Sequence, residues 1–364
     1  MKKAGINHDT LTGWLFLAPF LVSLSVFFLW AIMRTAWFSL TDYDLFRTPN
    51  FIGLENYARL VSDDLFLTAL RNSISFATIV TAIQTVLALL LAVLVNSAAR
   101  AKGLVRTVFY FPSIMSSAAM TLIFLWLFQR QGLMTSIAGN VANLRWIILS
   151  FFALVAVVQV VQVTLARRKY AEVSLFDPFF LILSAGVGAA GAVFIRINGW
   201  LPVYEEQFLI SWLNTKEVFL FMPRTLWSVA LMNIFTTVPT LMLLFLAGLQ
   251  SIPSSLYDAA KMDGATSIQS FFSVTLPSLT PVTFAVVTLG LIGTLQMFDQ
   301  VAILGAAAPL ESRITLAYYT YYNTFPPGGS PNIGMASAAA LTLGLLTLVI
   351  VFLQRQFGIK ERIG

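Results

Sequence analysis

The 364 residues of this chain are 58% hydrophobic and 10% charged. Its mean hydropathy of +0.83 excludes an ordinary soluble fold, because so apolar a chain needs lipid as its solvent. The chain has no cysteine and a single histidine, His8, which excludes disulfides, thiolate nucleophiles, iron–sulfur clusters and histidine-ligated metal sites. The net charge of +6 is compatible with either a nucleic-acid partner or a membrane topology signal.

Eight charge-free windows run along the chain, and each predicts one membrane-spanning helix of roughly 20 residues. The windows are residues 11–33, 72–99, 107–129, 146–166, 178–195, 225–257, 264–298 and 314–354. Lys2 and Lys3 precede the first window, but no small-x-small cleavage site follows it, so we expect a retained helix and not a cleaved signal. The predicted fold class is all-α, a polytopic integral membrane protein.

The distribution of basic residues predicts the orientation. With the N-terminus inside, cytoplasmic segments carry 12 Lys or Arg and 6 Asp or Glu, and the outer segments carry 10 of each kind. Arg100 and Lys102 in one short loop, and the basic run at 167–169 in another, are the signals that retain a loop in the cytoplasm. We therefore expect both termini in the cytoplasm and no nucleic-acid partner.

The run Gly-Val-Gly-Ala-Ala-Gly at 186–191 has the spacing of the dinucleotide fingerprint G-x-G-x-x-G. That fingerprint has a physical meaning only at a strand-to-helix turn, whereas this run lies within an apolar window. Small residues four apart, Gly186 with Ala190 and Gly188 with Ala192, instead predict close helix packing in lipid. No G-x-x-x-x-G-K-[ST] phosphate loop occurs, so any ATP is expected on a partner.

Ionisable residues are absent from the windows until their edges, which disfavours a proton-coupled carrier. Sodium coupling through the backbone carbonyls of broken helices stays open. No His/Asp, Ser/Lys or paired-carboxylate set is visible, so no catalytic residue is assigned. Asn233 and Gln296 are polar residues within apolar windows; either is a candidate to hydrogen-bond a polyol in a central cavity or, equally, a neighbouring helix.

The loop at about 251–277 holds the most informative pattern. Pro253 ends the preceding span, and Ser255 followed by Asp258 predicts a capped helix start. Gly264 suits the left-handed position that ends a helix. These signals predict a short helix in a cytoplasmic loop.

One face of this short helix is expected to carry Tyr257, Ala260 and Gly264, at spacings of i, i+3 and i+7. An aromatic knob beside small residues suits insertion into a groove on another protein. The alternative is a helix that lies on the lipid surface, but such helices have a broader apolar face and more basic residues than Lys261 alone.

The loop resembles the E-A-A signature of bacterial ABC-importer permeases, E-A-A-x3-G-x9-I-x-L-P. Here the residues are Asp258, Ala259 and Ala260, then three residues before Gly264, then nine residues before Val-Thr-Leu-Pro at 274–277. The departures are Asp for Glu at 258 and Val for Ile at 274. The preceding Leu-Gln-x-Ile-Pro-x-x-Leu-Tyr at 249–257 resembles the carbohydrate-uptake branch.

Two other regions resemble the larger-type permease of that branch, as in maltose and glycerol-phosphate importers. They are Phe-Ile-Gly-Leu-Glu-Asn-Tyr at 51–57 with Ala-Leu-Arg-Asn at 69–72, and Phe-Asp at 298–299 with Asn-Ile-Gly-Met-Ala-Ser-Ala at 332–338. The usual Gly-Gly-Pro of the last outer loop reads Ala-Ala-Pro at 307–309. The resemblance covers about 51–133 and 207–353.

The resemblance implies six core helices, and the segment outside it adds an inserted pair. We expect residues 1–138 to hold the N-terminal tail and first three core helices, 139–206 the inserted two-helix hairpin, and 207–364 the C-terminal core with the E-A-A loop. Two extra crossings are an even number, so every later loop keeps its side of the membrane.

The resemblance also implies a function: the permease subunit of an ATP-driven, binding-protein-dependent importer for a sugar, polyol or related compatible solute in a bacterial inner membrane. Such a subunit is not an enzyme and binds no cofactor or metal itself. The implied partners are a second permease, two copies of an ATPase that binds ATP and magnesium, an extracytoplasmic solute-binding protein and the lipid bilayer. A secondary carrier independent of an ATPase is the alternative, and a membrane anchor or scaffold is a weaker one. The residues implied to dock the ATPase are Tyr257, Asp258, Ala259, Ala260, Gly264, Leu276 and Pro277.

Overall fold

The computed structural model describes residues 8–97, 110–167, 178–200 and 211–359. Nine of the basic residues used to predict the orientation lie outside these ranges: Lys2, Lys3, Arg100, Lys102, Arg106, Arg168, Lys169, Lys360 and Arg362. The chain divides into two compact units, one formed by Met1–Ile123 with Asn214–Gly364 and the other by Phe124–Leu213.

Helices make up almost all of the regular structure in the described ranges. Before residue 200 they are α1 (His8–Leu24), α2 (Trp30–Ser39), α3 (Glu55–Ser62), α4 (Asp64–Ser97), α5 (Ser117–Leu127), α6 (Leu133–Asn143), α7 (Arg145–Arg167) and α8 (Pro178–Ile197), with a π-helical turn at Ser25–Leu29. After the short antiparallel strands β1 (Val218–Phe219) and β2 (Met222–Pro223) come α9 (Arg224–Ser251), α10 (Ser254–Met262), α11 (Ser267–Ser270), a π-helical turn at Phe271–Thr275, α12 (Leu276–Ser278), α13 (Thr280–Leu295), α14 (Asp299–Leu304), a 3₁₀ turn at Gly305–Ala307, α15 (Leu310–Arg313), α16 (Leu316–Thr324) and α17 (Ile333–Ile359).

Seven helices in the described residues are long and apolar enough to cross a membrane. They are Thr12–Ser39, Asp64–Asn96, Arg145–Ala166, Phe180–Ile197, Arg224–Ser251, Thr280–Ala307 and Ile333–Gln356. They match seven of the eight predicted windows, and the prediction of an all-α polytopic membrane protein is confirmed.

The third predicted window, 107–129, is not one long helix where it is described. Residues 110–114 are helical, the helix breaks at Met115 and Ser116, and α5 begins at Ser117. The Ser116 hydroxyl accepts a hydrogen bond from the backbone N–H of Ala119 at 3.2 Å, and such an N-terminal cap competes with continuation of the preceding helix. The 11 residues of α5 extend only about 16 Å.

The core of the first unit lies where α4, α9 and α13 pack together. Its buried members are Ala88, Ala92, Val95, Val238, Leu241, Met242, Phe245, Leu246, Leu249, Leu279 and Val286. Gly248 allows α9 to approach closely, because a Cβ there would lie 2.8 Å from a methyl of Val282. The helices that flank the E-A-A loop are thus fixed to one another at the loop's base.

The second unit contains the hairpin of α7 and α8. Ser184, fully buried on α8, donates a hydrogen bond to Gln159 on α7 at 2.6 Å. One turn along, a Cβ on Gly188 would lie 2.5 Å from a methyl of Val155, and Ala192 is also buried. The prediction that Gly188 and Ala192 pack between helices is confirmed. The predicted domain boundaries at 139 and 206 stay predictions.

The companion prediction for Gly186 and Ala190 is wrong. Both residues are exposed, and a Cβ on Gly186 would meet nothing within 4 Å. Residues 184, 188 and 192 face α7, and positions two residues away point elsewhere because each residue turns the helix by about 100°.

Candidate functional site

The start of the loop helix α10 is set by Pro253. Span α9 ends at Ser251, and Ile252 and Pro253 then have extended backbone torsions before α10 begins at Ser254. The predicted cap by Ser255 is wrong: Ser255 lies inside the first turn, and no side chain caps this helix. Pro253 occupies the cap position itself, where its missing N–H costs no helical hydrogen bond, and the helix starts two residues earlier than predicted.

Gly264 ends α10 in the way that the sequence predicts. Its φ is +76°, its backbone N–H donates to the carbonyl of Lys261 at 3.0 Å, and the N–H of Ala265 donates to the carbonyl of Ala260 at 2.9 Å. These two bonds form a Schellman motif, which satisfies carbonyls that the helix end would leave free. A Cβ at 264 would meet nothing within 4 Å, so the positive φ alone requires glycine here.

The short helix α11 follows, and its start is capped by side chains. The Thr266 hydroxyl accepts from the N–H of Gln269, and the Gln269 side chain accepts from the N–H of Thr266 at 2.8 Å, which is a complete capping box. After the π-helical turn, the N–H of Leu276 donates to the carbonyl of Phe271, five residues back. This wider turn comes directly before Pro277, whose nitrogen has no hydrogen to donate.

Tyr257 ties the two halves of the loop together. Its hydroxyl lies 2.9 Å from the hydroxyl of Thr275, and Thr275 is only 5% exposed. Tyr257 and Ala260 are both half-buried, so the face that they share is turned towards the chain's own π-helical turn. Whether Tyr257 also contacts a partner stays a prediction.

The outward surface of the loop carries other apolar side chains. Met262 is 88% exposed, Ile268 73% and Phe272 62%, and Leu276 is also exposed. Asp258 and Ala259 lie on the same outward side of α10. The Asp258 carboxylate is 3.8 Å from the Lys261 ammonium, a pair whose members are 70% and 73% exposed and which therefore adds little stability.

Asn233 lies in a chain of three amides within the first unit. Its oxygen accepts from Gln84 on α4 at 2.7 Å, and its nitrogen donates to Gln300 on α14 at 3.2 Å. The structure thus gives Asn233 hydrogen bonds to neighbouring helices. Gln84 and Gln300 are buried, and the sequence analysis does not include them among the candidate site residues. Each is a polar residue near or within an apolar stretch, which is the same signal that indicates Asn233.

Gln296 lies apart from this amide chain. It is the exposed residue that ends α13, and its own N–H donates to the carbonyl of Ile292 at 3.1 Å. Two residues earlier in the chain, the Thr294 hydroxyl lies 3.2 Å from the Thr81 hydroxyl and joins α13 to α4. The structure therefore does not bring the two predicted substrate residues, Asn233 and Gln296, into direct contact.

Known proteins resemble this chain over almost its whole length. It is 29% identical over 356 residues to the lactose transport system permease protein LacF of Rhizobium radiobacter, with 96% of this chain and 94% of the relative covered. It is 26% identical over 358 residues to the probable ABC transporter permease protein YesP of Bacillus subtilis, with 96% and 93% covered. It is 27% identical over 345 residues to the trehalose/maltose transport system permease protein MalF of Thermococcus litoralis, with 94% and 92% covered.

The fold is also similar to that of a solved transporter. One chain in the crystal structure of a bacterial ABC transporter involved in the import of the acidic polysaccharide alginate superposes with a TM-score of 0.66, at 17% identity and with 98% of both chains covered. A family model described as "Binding-protein-dependent transport system inner membrane component" matches residues 84–362. This chain belongs to that family of ABC transporter permease subunits.

Proposed function

We propose that this chain is the permease subunit of an ATP-driven importer for a sugar, a polyol or a related compatible solute. The substrate class is supported by relatives named for lactose, sn-glycerol-3-phosphate and trehalose/maltose transport. The observation that carries the proposal is the loop between Arg224–Ser251 and Thr280–Ala307: a short helix closed by Gly264 and presented outside two spans, at the spacing of the E-A-A signature.

The outer face of this loop is the proposed docking surface for an ATPase subunit. It presents the exposed apolar side chains of Met262, Ile268 and Phe272, and exposed apolar side chains on a loop are typical of a protein interface. Asp258, Ala259 and Leu276 are exposed beside them and would contribute contacts. Ala260, Gly264 and Pro277 would act by fixing the shape of the loop.

The loop is built to transmit motion as a rigid body. Three features restrict internal motion of the loop: the Gly264 turn, the Thr266 capping box and the Tyr257–Thr275 contact. A force applied to the loop from outside would therefore displace it as a whole and would not deform it. The spans on either side pack on α4 through the buried cluster around Met242 and Leu279. Displacement of α10 by closure of the ATPases would therefore move three spans together.

The proposed assembly contains this chain, a second permease, two copies of the ATPase and an extracytoplasmic solute-binding protein. ATP and magnesium would bind to the ATPase subunits, and this chain would supply no catalytic residue and bind no metal, cofactor or nucleic acid. Both termini and the E-A-A loop would lie in the cytoplasm, as the basic loops of the sequence predict.

The amide chain is the proposed source of substrate hydrogen bonds. Asn233 is half-buried and bonded at both ends, and the Gln84 oxygen is buried without a hydrogen-bond partner among the described residues. A substrate hydroxyl that donates a hydrogen bond to the Gln84 oxygen would be bound favourably, because a buried oxygen without a hydrogen bond costs free energy. A shift of α14 away from α9 would free Asn233 and Gln84 for polyol hydroxyls, and Gln296 would be reached from the exposed end of α13.

Purification separates the importer from the alternative of a secondary carrier. If the proposal is correct, the chain expressed with its cognate subunits co-elutes with an ATPase, and substrate with its binding protein stimulates ATP hydrolysis. The chain reconstituted alone then shows no uptake. Solute accumulation by the chain alone, driven by an ion gradient, would establish the carrier and overturn the proposal.

A further inference from the structure

A cleft of about 330 Å³ lies behind α10, on the side opposite the outward face of the loop. One of its walls comes from the ends of two spans, with Val93 on α4 and Leu249 on α9, and another comes from Phe271 in the π-helical turn. The Tyr257–Thr275 contact also lines it. All these residues belong to the first unit.

Besides Tyr257 and Thr275, four residues that line this cleft have polar side chains: Asn96, Lys261, Ser267 and Ser270. In the part of the chain that the structure describes, the side chains of Asn96, Ser267 and Ser270 make no hydrogen bond. Among the described residues, Lys261 has the long contact with Asp258 at 3.8 Å and no other ion pair. The described lining residues thus offer several free donors and one cation, and none of them carries a carboxylate.

This set of donors fits an anion with several oxygens. A phosphate presents at least two charged oxygens that can accept from one ammonium and two hydroxyls at once, and hydrogen bonds to charged acceptors are the stronger kind. A neutral sugar would gain no charge attraction from Lys261, whose existing pair with Asp258 is long and exposed. The shared chemistry is therefore a phosphate group, whose source is either a lipid headgroup or a soluble phosphate.

The position of the cleft favours the lipid. Val93 and Leu249 lie within the last residues of the candidate spans Asp64–Asn96 and Arg224–Ser251, so the cleft lies at the ends of two spans, where we expect the lipid headgroups. Val93 and Leu249 line the cleft from the spans, and Lys261, Ser267 and Ser270 line it from the loop, which matches the order of acyl chain and headgroup in a phospholipid. Basic pockets between spans bind such headgroups. We propose that this cleft binds the phosphate headgroup of an anionic phospholipid behind α10.

The test measures lipid binding to the full-length chain by native mass spectrometry. Phosphatidylglycerol and phosphatidylcholine with the same acyl chains are titrated separately. We expect the wild type to prefer phosphatidylglycerol and Lys261→Gln to bind it about fivefold more weakly. Arg355→Gln is the matched control, since Arg355 is an exposed cation at the end of the span Ile333–Gln356 and does not line the cleft.

A second variant tests the cavity separately from the charge. Ala265→Phe places a ring in the cleft and keeps Lys261, so it is also expected to lose the preference for phosphatidylglycerol. Equal affinities in wild type and Lys261→Gln, or an equal loss in Arg355→Gln, would overturn the proposal. Displacement of the lipid by inorganic phosphate would assign the cleft to a soluble anion and overturn the lipid source. No ATPase is present in this measurement, so its outcome is independent of the proposed docking.

Discussion

The hydroxyls of Tyr257 and Thr275 lie 2.9 Å apart and join the start of the loop helix α10 to the π-helical turn that leads into the next span. The two residues are 18 positions apart in sequence, yet this contact closes the loop into one body. The aromatic side chain is therefore an internal brace of the surface on which we propose that the ATPase docks.

Truncation of Tyr257 is expected to weaken ATPase association more than neutralisation of Asp258. Tyr257→Ala removes the brace and leaves the buried Thr275 hydroxyl unpaired, which costs about 1–3 kcal/mol. Asp258→Asn alters a residue whose side chain is 70% exposed and whose ion pair with Lys261 is weak, so its effect is expected within about 1 kcal/mol. Retention of the complex is measured for both variants at matched expression.

The two substitutions differ in size, so Tyr257→Phe serves as the control that removes only the hydroxyl. An intermediate loss of complex is expected for it. A larger loss for Asp258→Asn than for Tyr257→Ala would instead indicate a charge contact between subunits at position 258.

Substitutions at Gly264 are expected to reduce the stimulation of ATP hydrolysis by substrate, with a smaller reduction for alanine than for proline. In Gly264→Ala the new methyl enters open space, so the substitution is strained only by the backbone φ of +76°. Alanine in this conformation destabilises the turn by about 1 kcal/mol. Gly264→Pro cannot take a positive φ and also loses the N–H that bonds Lys261, so its effect is larger. Substrate-stimulated ATPase activity of the assembled transporter measures both.

Gly293 provides the matched control. It also has open space around it, but it lies within α13 and has no positive φ, so Gly293→Ala is expected to leave stimulation intact. Stimulation at the wild-type level in Gly264→Pro would mean that the shape of this turn does not matter to docking.

Packing in the α7–α8 hairpin is expected to distinguish two neighbouring glycines. Gly188→Val forces methyls against Val155 and the Phe151 backbone and is expected to destabilise the hairpin by about 1–3 kcal/mol. Gly186→Val enters open space and is expected to be nearly neutral. Thermal denaturation in detergent compares the two variants, and equal midpoints would show that close packing at Gly188 does not stabilise this hairpin.

Deletion of residues 140–206 is expected to preserve the sidedness of the later helices, since two crossings are removed together. Met262→Cys reports this directly, because the chain has no cysteine and the side chain at 262 is 88% exposed. An impermeant thiol reagent added outside intact cells is expected to leave this cysteine unlabelled with or without the deletion. Labelling of the full-length protein from outside would refute both the parity argument and the cytoplasmic loop.

Sequence alone predicts the features that local chemistry determines. Gly264 could be placed because a left-handed helix end accepts almost only glycine, and seven of the eight predicted spans could be located because lipid demands long uncharged runs. The same reasoning missed the break at Ser116, where a local hydroxyl cap interrupts an apolar run. It also misplaced the start of α10, where Pro253 takes the position that a serine was expected to hold.

Contacts between distant helices were beyond such reasoning. Asn233 was selected as a polar residue in a span, but its partners Gln84 and Gln300 are 149 and 67 positions away and depend on how α4, α9 and α14 are rotated. Tyr257 was placed on the correct helix, yet its inward direction follows from the position of Thr275. Helix rotation and depth are set by packing, which a single sequence does not specify.

The most direct test of the account is a crosslink from the exposed tip of α10. Met262→Cys in the assembled transporter, treated with a short thiol-to-amine reagent, is expected to give a covalent product with a subunit that carries a G-x-x-x-x-G-K-[ST] phosphate loop, identified by mass spectrometry. Phe325→Cys, 61% exposed just beyond α16 on the opposite side of the predicted membrane, is expected to give no such product. An ATPase adduct at position 325 and not at 262 would contradict the proposed docking loop.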